Sequence, residues 1–218
     1  MAVDMMVLNT REEWLKNRGR GIGGSEISAV IGCNPYMDNV TLWQRKTGRS
    51  KAEDISDKPY VQYGTQAERH LRGLFRLDFP QFNVEYVDNN SWHNDRYPWA
   101  LASLDGWLTD EQGRRGVLEI KTSDVLSSMH KERWRDGIPQ NYYCQVLFYM
   151  AVIEADFAIL KAQLRTEYDG LPSFSTRHYR IERADVQEDM DYLMEQGADF
   201  WRYYIETDTE PPLVLPDI

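Results

Sequence analysis

Asp105 is followed fourteen residues later by Glu119-Ile120-Lys121, and the stretch between them reads as a β-hairpin. The polar, glycine-bearing run Glu111-Gln112-Gly113-Arg114-Arg115-Gly116 supplies the turn. Along the second arm, alternation puts Glu119 and Lys121 on one face and Leu118 and Ile120 on the other. Pairing across a turn of about four to six residues brings Asp105 roughly opposite Glu119. Two carboxylates and a lysine then share a patch, which is the set of groups that divalent-metal phosphodiester hydrolysis uses. A solvated hairpin face with a cross-strand charge pair contains the same residues. The hairpin alone leaves both readings open.

The chain has 218 residues, of which 42% are hydrophobic, enough for one α/β domain with a sizeable core over residues 1–218. No apolar run is long enough to span a bilayer, and the start of the chain has Asp4 and no basic segment, so no signal peptide is expected. Cys33 and Cys144 are the only cysteines, which fits a reducing cytosol and is too few for a four-thiolate iron–sulfur site. A net charge of −10 is unlike a protein that coats DNA. Basic clusters nevertheless occur at Arg18/Arg20, Lys46/Arg49/Lys51, Arg69/Arg72/Arg76, Arg114/Arg115 and Lys131/Arg133/Arg135. Most read individually as solvated surface, so DNA contact is expected in a channel rather than over the outside.

Thr10 to Glu13 has the capping-box pattern and opens a short helix to Asn17. The glycines of 19–24 formally match a dinucleotide fingerprint, but what precedes them is a charged helix, not a buried strand. Ser25 instead reads as the N-cap of a helix over 26–31, with the glycine-rich approach forming a phosphate seat. Further helices are expected over 39–47, from Thr65 to about Leu77, over 138–153 and from Asp185 to about Glu206. Strands are expected at 83–87, 100–108, 158–164 and 177–182, and an extended proline-bearing tail over 207–218. Glu68 borders the apolar stripe of its helix, either capping Thr65 or facing a site. Gln145 lies in a helix that is apolar almost all round, so it needs buried partners.

Taken in order, several stretches resemble the YqaJ-like viral recombinase family, which includes phage lambda exonuclease within the PD-(D/E)xK nuclease superfamily. They are Arg18 with Ile22-Gly23-Gly24-Ser25-Glu26-Ile27, Asn34-Pro35-Tyr36, Leu42-Trp43, Lys46-Thr47-Gly48 and Tyr63 through Glu68. Ser103-Leu104-Asp105-Gly106, Leu118 through Lys121, and Pro139 through Gln145-Val146 follow. The resemblance covers about residues 14 to 155 and implies a restriction-endonuclease-like core, a central mixed β-sheet flanked by helices. It implies that Glu68, Asp105, Glu119 and the carbonyl of Ile120 hold Mg²⁺, two ions per site with Mn²⁺ able to substitute. It further implies that Lys121 activates the attacking water, that Gln145 borders the site, and that Arg18, Ser25 and, more weakly, Ser103 bind a 5′-phosphate. Trp14 is read as either a stacking surface for DNA or a core residue, and Asp95 as a further acid near the metals. The proline that often precedes the first acid is Leu104 here, which puts the loop conformation in question rather than the chemistry.

The activity implied is 5′-to-3′ digestion of linear double-stranded DNA ends, leaving 3′ overhangs for phage-type recombination by annealing. The implied setting is a homotrimeric ring around DNA, an annealing-protein partner, no membrane, and the cytoplasm of a bacterial host carrying the phage or prophage. An endonuclease on the same fold and a non-catalytic DNA-end-binding module are the alternatives. Trp92, Trp99 and Trp107 are candidates for an interface or for the core.

Overall fold

The computed structural model describes residues 2–125, 132–135 and 137–215. A five-stranded mixed sheet is its centre, in the order β3-β6-β7-β8-β9, formed by Asn83–Glu85, Gly106–Thr109, Arg115–Asp124, Phe157–Tyr168 and Leu171–Glu182. All neighbours are antiparallel except β7 and β8, which run parallel and are joined by a helical crossover. Two small pairs flank it: β1 (Val3–Val7) with β4 (Asn90–Asn94), antiparallel, and β2 (Ile22–Gly23) with β5 (Ala100–Leu101), parallel. The helices are α1 (Arg11–Arg18), α2 (Gly24–Val30), α3 (Asn39–Lys46), α4 (Pro59–Asp78), α5 (Gln140–Val152) and α6 (Arg183–Phe200), the last continuing as a π-helical turn to Ile205.

The alternation of β7 divides the molecule into two cores. Leu118 and Ile120 face α4, packing with Leu71, Phe75, Phe157 and Ile159. Val117 faces the opposite side, where Leu160, Ala162 and Leu164 of β8 meet α5, α2 and α6. The fold is therefore a sheet covered on both faces, as parallel β-pairing requires. Trp92 and Trp99 are buried in the larger core, and Trp107 packs against it with its N–H on Glu85, so all three serve the interior.

Several boundaries differ from expectation, each for a local reason. Helix α4 begins at Pro59, not Thr65; proline suits a helix start because its missing N–H has no partner there anyway. Thr65 lies inside it, its hydroxyl donating to the Val61 carbonyl, so Glu68 caps nothing. Helix α2 begins at Gly24 with Gly23 as N-cap, because the Glu26 carboxylate reaches back to the Gly23 N–H at 2.8 Å; Ser25 lies one residue inside. β4, Asn-Ser-Trp-His-Asn, escapes sequence reading because its buried polar side chains are paired by distant elements: Ser91 with Asn17, and Asn94 with the Val152 carbonyl. The stretch 100–108 is two strands broken at Ala102–Asp105, and β8 and β9 form a hairpin several residues longer than expected. The tail to residue 215 has no regular structure and is tied to Asn39 through Pro212 and Val214. Lys131 and residues 216–218 lie outside the described residues. Among those described, no helix is long and apolar enough to cross a membrane.

Candidate active site

The hairpin turn spans residues 110–114, with Gly113 at a positive φ of 77°. Gly106 pairs with Leu118, so Asp105, the next residue out, stands opposite Glu119. Its carboxylate is fixed there by accepting the Ile120 N–H at 2.8 Å. Glu119 is buried, and its Oε1 receives two donors, Lys121 Nζ at 2.6 Å and Gln145 Nε2 at 2.8 Å. Gln145 also reaches the Tyr149 hydroxyl at 3.1 Å, and Tyr142 places its ring 4.9 Å from the Lys121 ammonium. The other oxygen of Glu119, Oε2, is buried without any hydrogen-bond partner.

The electrostatics follow from crowding acids in a space with little water. Burial, then the charges of Glu119 and Glu68, hold the Asp105 carboxyl well above the usual carboxylate range, against the pull of Lys121. Burial likewise raises Glu119, with Lys121 opposing. For Lys121, burial acts to lower the pKa, but Glu119 and Asp105 outweigh it and the net shift is upward, so the group is an ammonium. Tyr149 is pushed up by burial and by Glu119.

Glu68 sits near these acids but is paired with Arg72 one turn along α4. Among the described residues, no three acidic, histidine or cysteine groups are gathered closely enough to hold a metal ion by side chains alone. The donors that fit a divalent cation are nonetheless present. The orphaned Glu119 Oε2 has a buried negative charge to share, and Asp105 stands opposite it. A hard cation takes oxygen ligands, including main-chain carbonyls such as that of Ile120, and its remaining positions suit water or phosphate oxygens.

A second corner is built on α1 and α2. Arg18 donates to the Ser25 hydroxyl at 3.0 Å, so those two predicted phosphate ligands are in contact. Lys46, buried, donates to the Arg18 carbonyl at 3.1 Å and pairs with Glu26 at 2.7 Å, bracing the approach. Trp14 is buried beneath Arg11 and Arg18, and its indole N–H is shared between the Asn90 carbonyl and the Ser103 hydroxyl. It is a core residue linking the two corners, not a free stacking surface. Ser103 thus touches this corner through Trp14. Asp95 is exposed just past the end of β4, and its carboxylate accepts the Ala2 N–H at 3.0 Å.

Four contributors have no site role in the sequence reading. Arg72 reads as one of a set of surface arginines, although its spacing of four from Glu68 is a signal. Asn90 grips Leu104 at both ends, its Oδ1 accepting the Leu104 N–H at 2.8 Å and its Nδ2 donating to the Leu104 carbonyl at 2.9 Å. Two hydrogen bonds therefore set the backbone just before Asp105. Tyr149 and Lys46 complete the set. Other basic side chains are spent locally: Arg114 on Asp110 and Glu182, Arg115 on the Ile153 carbonyl, Arg49 on Asp208, and Arg76 on the Val84 carbonyl.

The model of the YqaJ-like viral recombinase domain matches residues 13–168. The uncharacterized protein YqaJ of Bacillus subtilis (strain 168) is 29% identical over 207 residues, covering 88% of this chain and 56% of the relative. The chain thus spans about half the length of that curated relative. Among solved structures, the alkaline exonuclease LHK-Exo of Laribacter hongkongensis superposes with a TM-score of 0.62 at 20% identity, covering 90% of this chain and 95% of that one. A phage related exonuclease from Haemophilus somnus 129PT gives 0.54 at 12% identity, covering 87% and 96%. At those identities the likeness is one of fold, the restriction-endonuclease-like fold that the sequence resemblance implied.

Proposed function

The chain belongs to the YqaJ-like viral recombinase domain family, and we propose that it is a divalent-metal-dependent deoxyribonuclease digesting linear duplex DNA from the 5′ end. Its product is a 3′ single strand for phage-type recombination by annealing. The observation that carries this reading is the state of Glu119: one oxygen committed to Lys121 and Gln145, the other buried and unpaired opposite Asp105. The names of the solved relatives, exonucleases both, agree with it.

In this reading Asp105, Glu119 and the Ile120 carbonyl would hold Mg²⁺, Glu68 would contribute to a second ion, and Mn²⁺ would substitute. Such ions would supply the positive charge that phosphodiester hydrolysis needs. The protein's own groups do the rest. Lys121 holds a proton at Nζ and orients the attacking water. Neutralising Glu119 and Asp105 removes its two largest raising interactions and leaves burial to lower its pKa. Gln145 keeps Glu119 Oε1 in place, and Tyr149 keeps Gln145. Arg18 and Ser25 grip the 5′-phosphate, Arg18 through its planar fork. As in the family, we place the chain in a homotrimeric ring beside an annealing protein in a phage-bearing bacterial cell. Light scattering of the purified protein tests the ring.

The deciding assay compares linear and closed circular duplexes, with and without Mg²⁺. The expected outcome is metal-dependent loss of the linear form alone. Cutting of circles would make it an endonuclease, and binding without cleavage would make it an end-binding module.

A further inference from the structure

Arg72 is buried, with only 6% of its surface exposed, although it lies on a helix among arginines that read as surface. Its guanidinium lies 3.4 Å from the centroid of the Tyr86 ring. Its Nη2 donates to Glu68 Oε1, and its Nε donates to the Asp105 main-chain carbonyl at 2.6 Å. One rigid fork therefore holds a carboxylate of α4 and the backbone of the residue that carries the first acid. The two acceptors are met by two different nitrogens of a planar group, a spacing that the single nitrogen of a lysine does not reproduce. Through this one side chain the Glu68 carboxylate is tied to the main chain of Asp105, which stands opposite Glu119.

We propose that Arg72 is a positioning residue for the acidic site, setting the placement of Glu68 and Asp105 relative to each other before a divalent ion binds. This rests on the metal-site reading above. Carboxylates that ligate metals are oriented by hydrogen bonds from partners that do not themselves touch the ion. Here a single side chain serves two acids from different elements, with the Tyr86 ring against its guanidinium. The competing account is mechanical: Arg72 merely fastens α4 to the strand.

Calorimetric titration of the full chain with Mn²⁺ separates these accounts, using wild type, Arg72→Lys, Arg72→Gln, Glu68→Gln and the double variant Glu68→Gln/Arg72→Gln. Both Arg72 variants are expected to bind Mn²⁺ about 10–100-fold more weakly, with Lys no better than Gln within about threefold because the fork is lost in each. The double variant should lose less than the product of the two single effects, since part of what Arg72 does passes through Glu68. Should Arg72→Gln fold poorly, Arg72→Lys, which keeps stem and charge, decides. Lowered thermal stability with Mn²⁺ affinity within about twofold of wild type would overturn the proposal and leave the mechanical account, as would strictly additive effects. A wild-type protein that binds no Mn²⁺ at all would sink the metal-site reading itself, and this proposal with it.

Discussion

Two lysines on neighbouring strands, Lys121 of β7 and Lys161 of β8, are both withdrawn from solvent and point to opposite faces of the sheet. Lys121 lies 2.6 Å from buried Glu119, with Asp105 and Tyr142 close by. Lys161 is 1% exposed, sits over Phe75, and meets one acid, Asp78, at 3.3 Å, itself 49% exposed. Asp78 ends α4, where the free carbonyls also favour a cation. Burial is therefore common to both. The difference is the surplus of negative charge: Lys121 faces more acids than it can neutralise, whereas Lys161 closes a pair already half in water. A site that can take a divalent cation is one where the native side chains leave negative charge uncompensated.

The sharpest way to break that comparison is to remove each amine. Lys121→Ala should lower turnover by about 10²–10⁴-fold, the usual weight of a positioned acid–base group, with DNA binding nearly unchanged. Lys161→Met should leave turnover within about twofold. Equal losses in the two variants would mean that burial, not charge surplus, marks the site. Asp105→Ala and Glu119→Ala should abolish cleavage while a folded protein is retained, as circular dichroism would check.

A smaller effect separates the faces by stability. Lys161→Met leaves Asp78 in water and fills an apolar site, so its melting temperature should be unchanged or higher. Asp78→Ala, which strands the amine, should cost about 1–3 kcal/mol, or roughly 2–4 °C per kcal/mol. On the other face, Asp105 has a raised folded pKa, so the metal-free protein binds its proton more tightly than the unfolded chain does. The stability contribution is full at low pH and lost as pH rises from the ordinary 3.8 through the raised value. Asp105→Asn should remove that loss and melt a few degrees higher at neutral pH without metal. A melting temperature below wild type at pH 7 would contradict the charge-surplus account.

The smallest effect concerns the second corner. Arg18→Ala should erase a preference of about tenfold for 5′-phosphate over 5′-hydroxyl ends, worth one or two charge-assisted hydrogen bonds, and leave Mn²⁺ affinity as it was. Equal initiation by wild type on both ends would refute the phosphate seat alone.

Much of the site could be read in the sequence because its signals are local. Alternation along β7 separates Glu119 and Lys121 from Leu118 and Ile120, and Gly113 marks the turn that sets the register. Gln145 stood out as a polar side chain in an apolar helix, and its partners proved to be Glu119 and Tyr149. What was not legible depends on distant partners. Asn90 looks like a turn residue until Leu104, fourteen positions away, is seen between its two amide atoms. Arg72 looks solvated until Tyr86 and the Asp105 carbonyl are placed around it. Glu68 looks like a cap for Thr65 until Arg72 is placed on it, inside a helix that begins at Pro59.

One contact ties the two corners into a single gauge. A side chain at Gly24 would meet the Tyr149 ring at 2.3 Å, so α2 rests its bare backbone on the tyrosine that steadies Gln145. The Arg18–Ser25 corner and Glu119 are thus joined through the Tyr149 ring and the Gln145 amide that it steadies. Under the proposed function this stack would act as a caliper: it would fix how far from the gripped phosphate the cut falls, independently of how fast it falls.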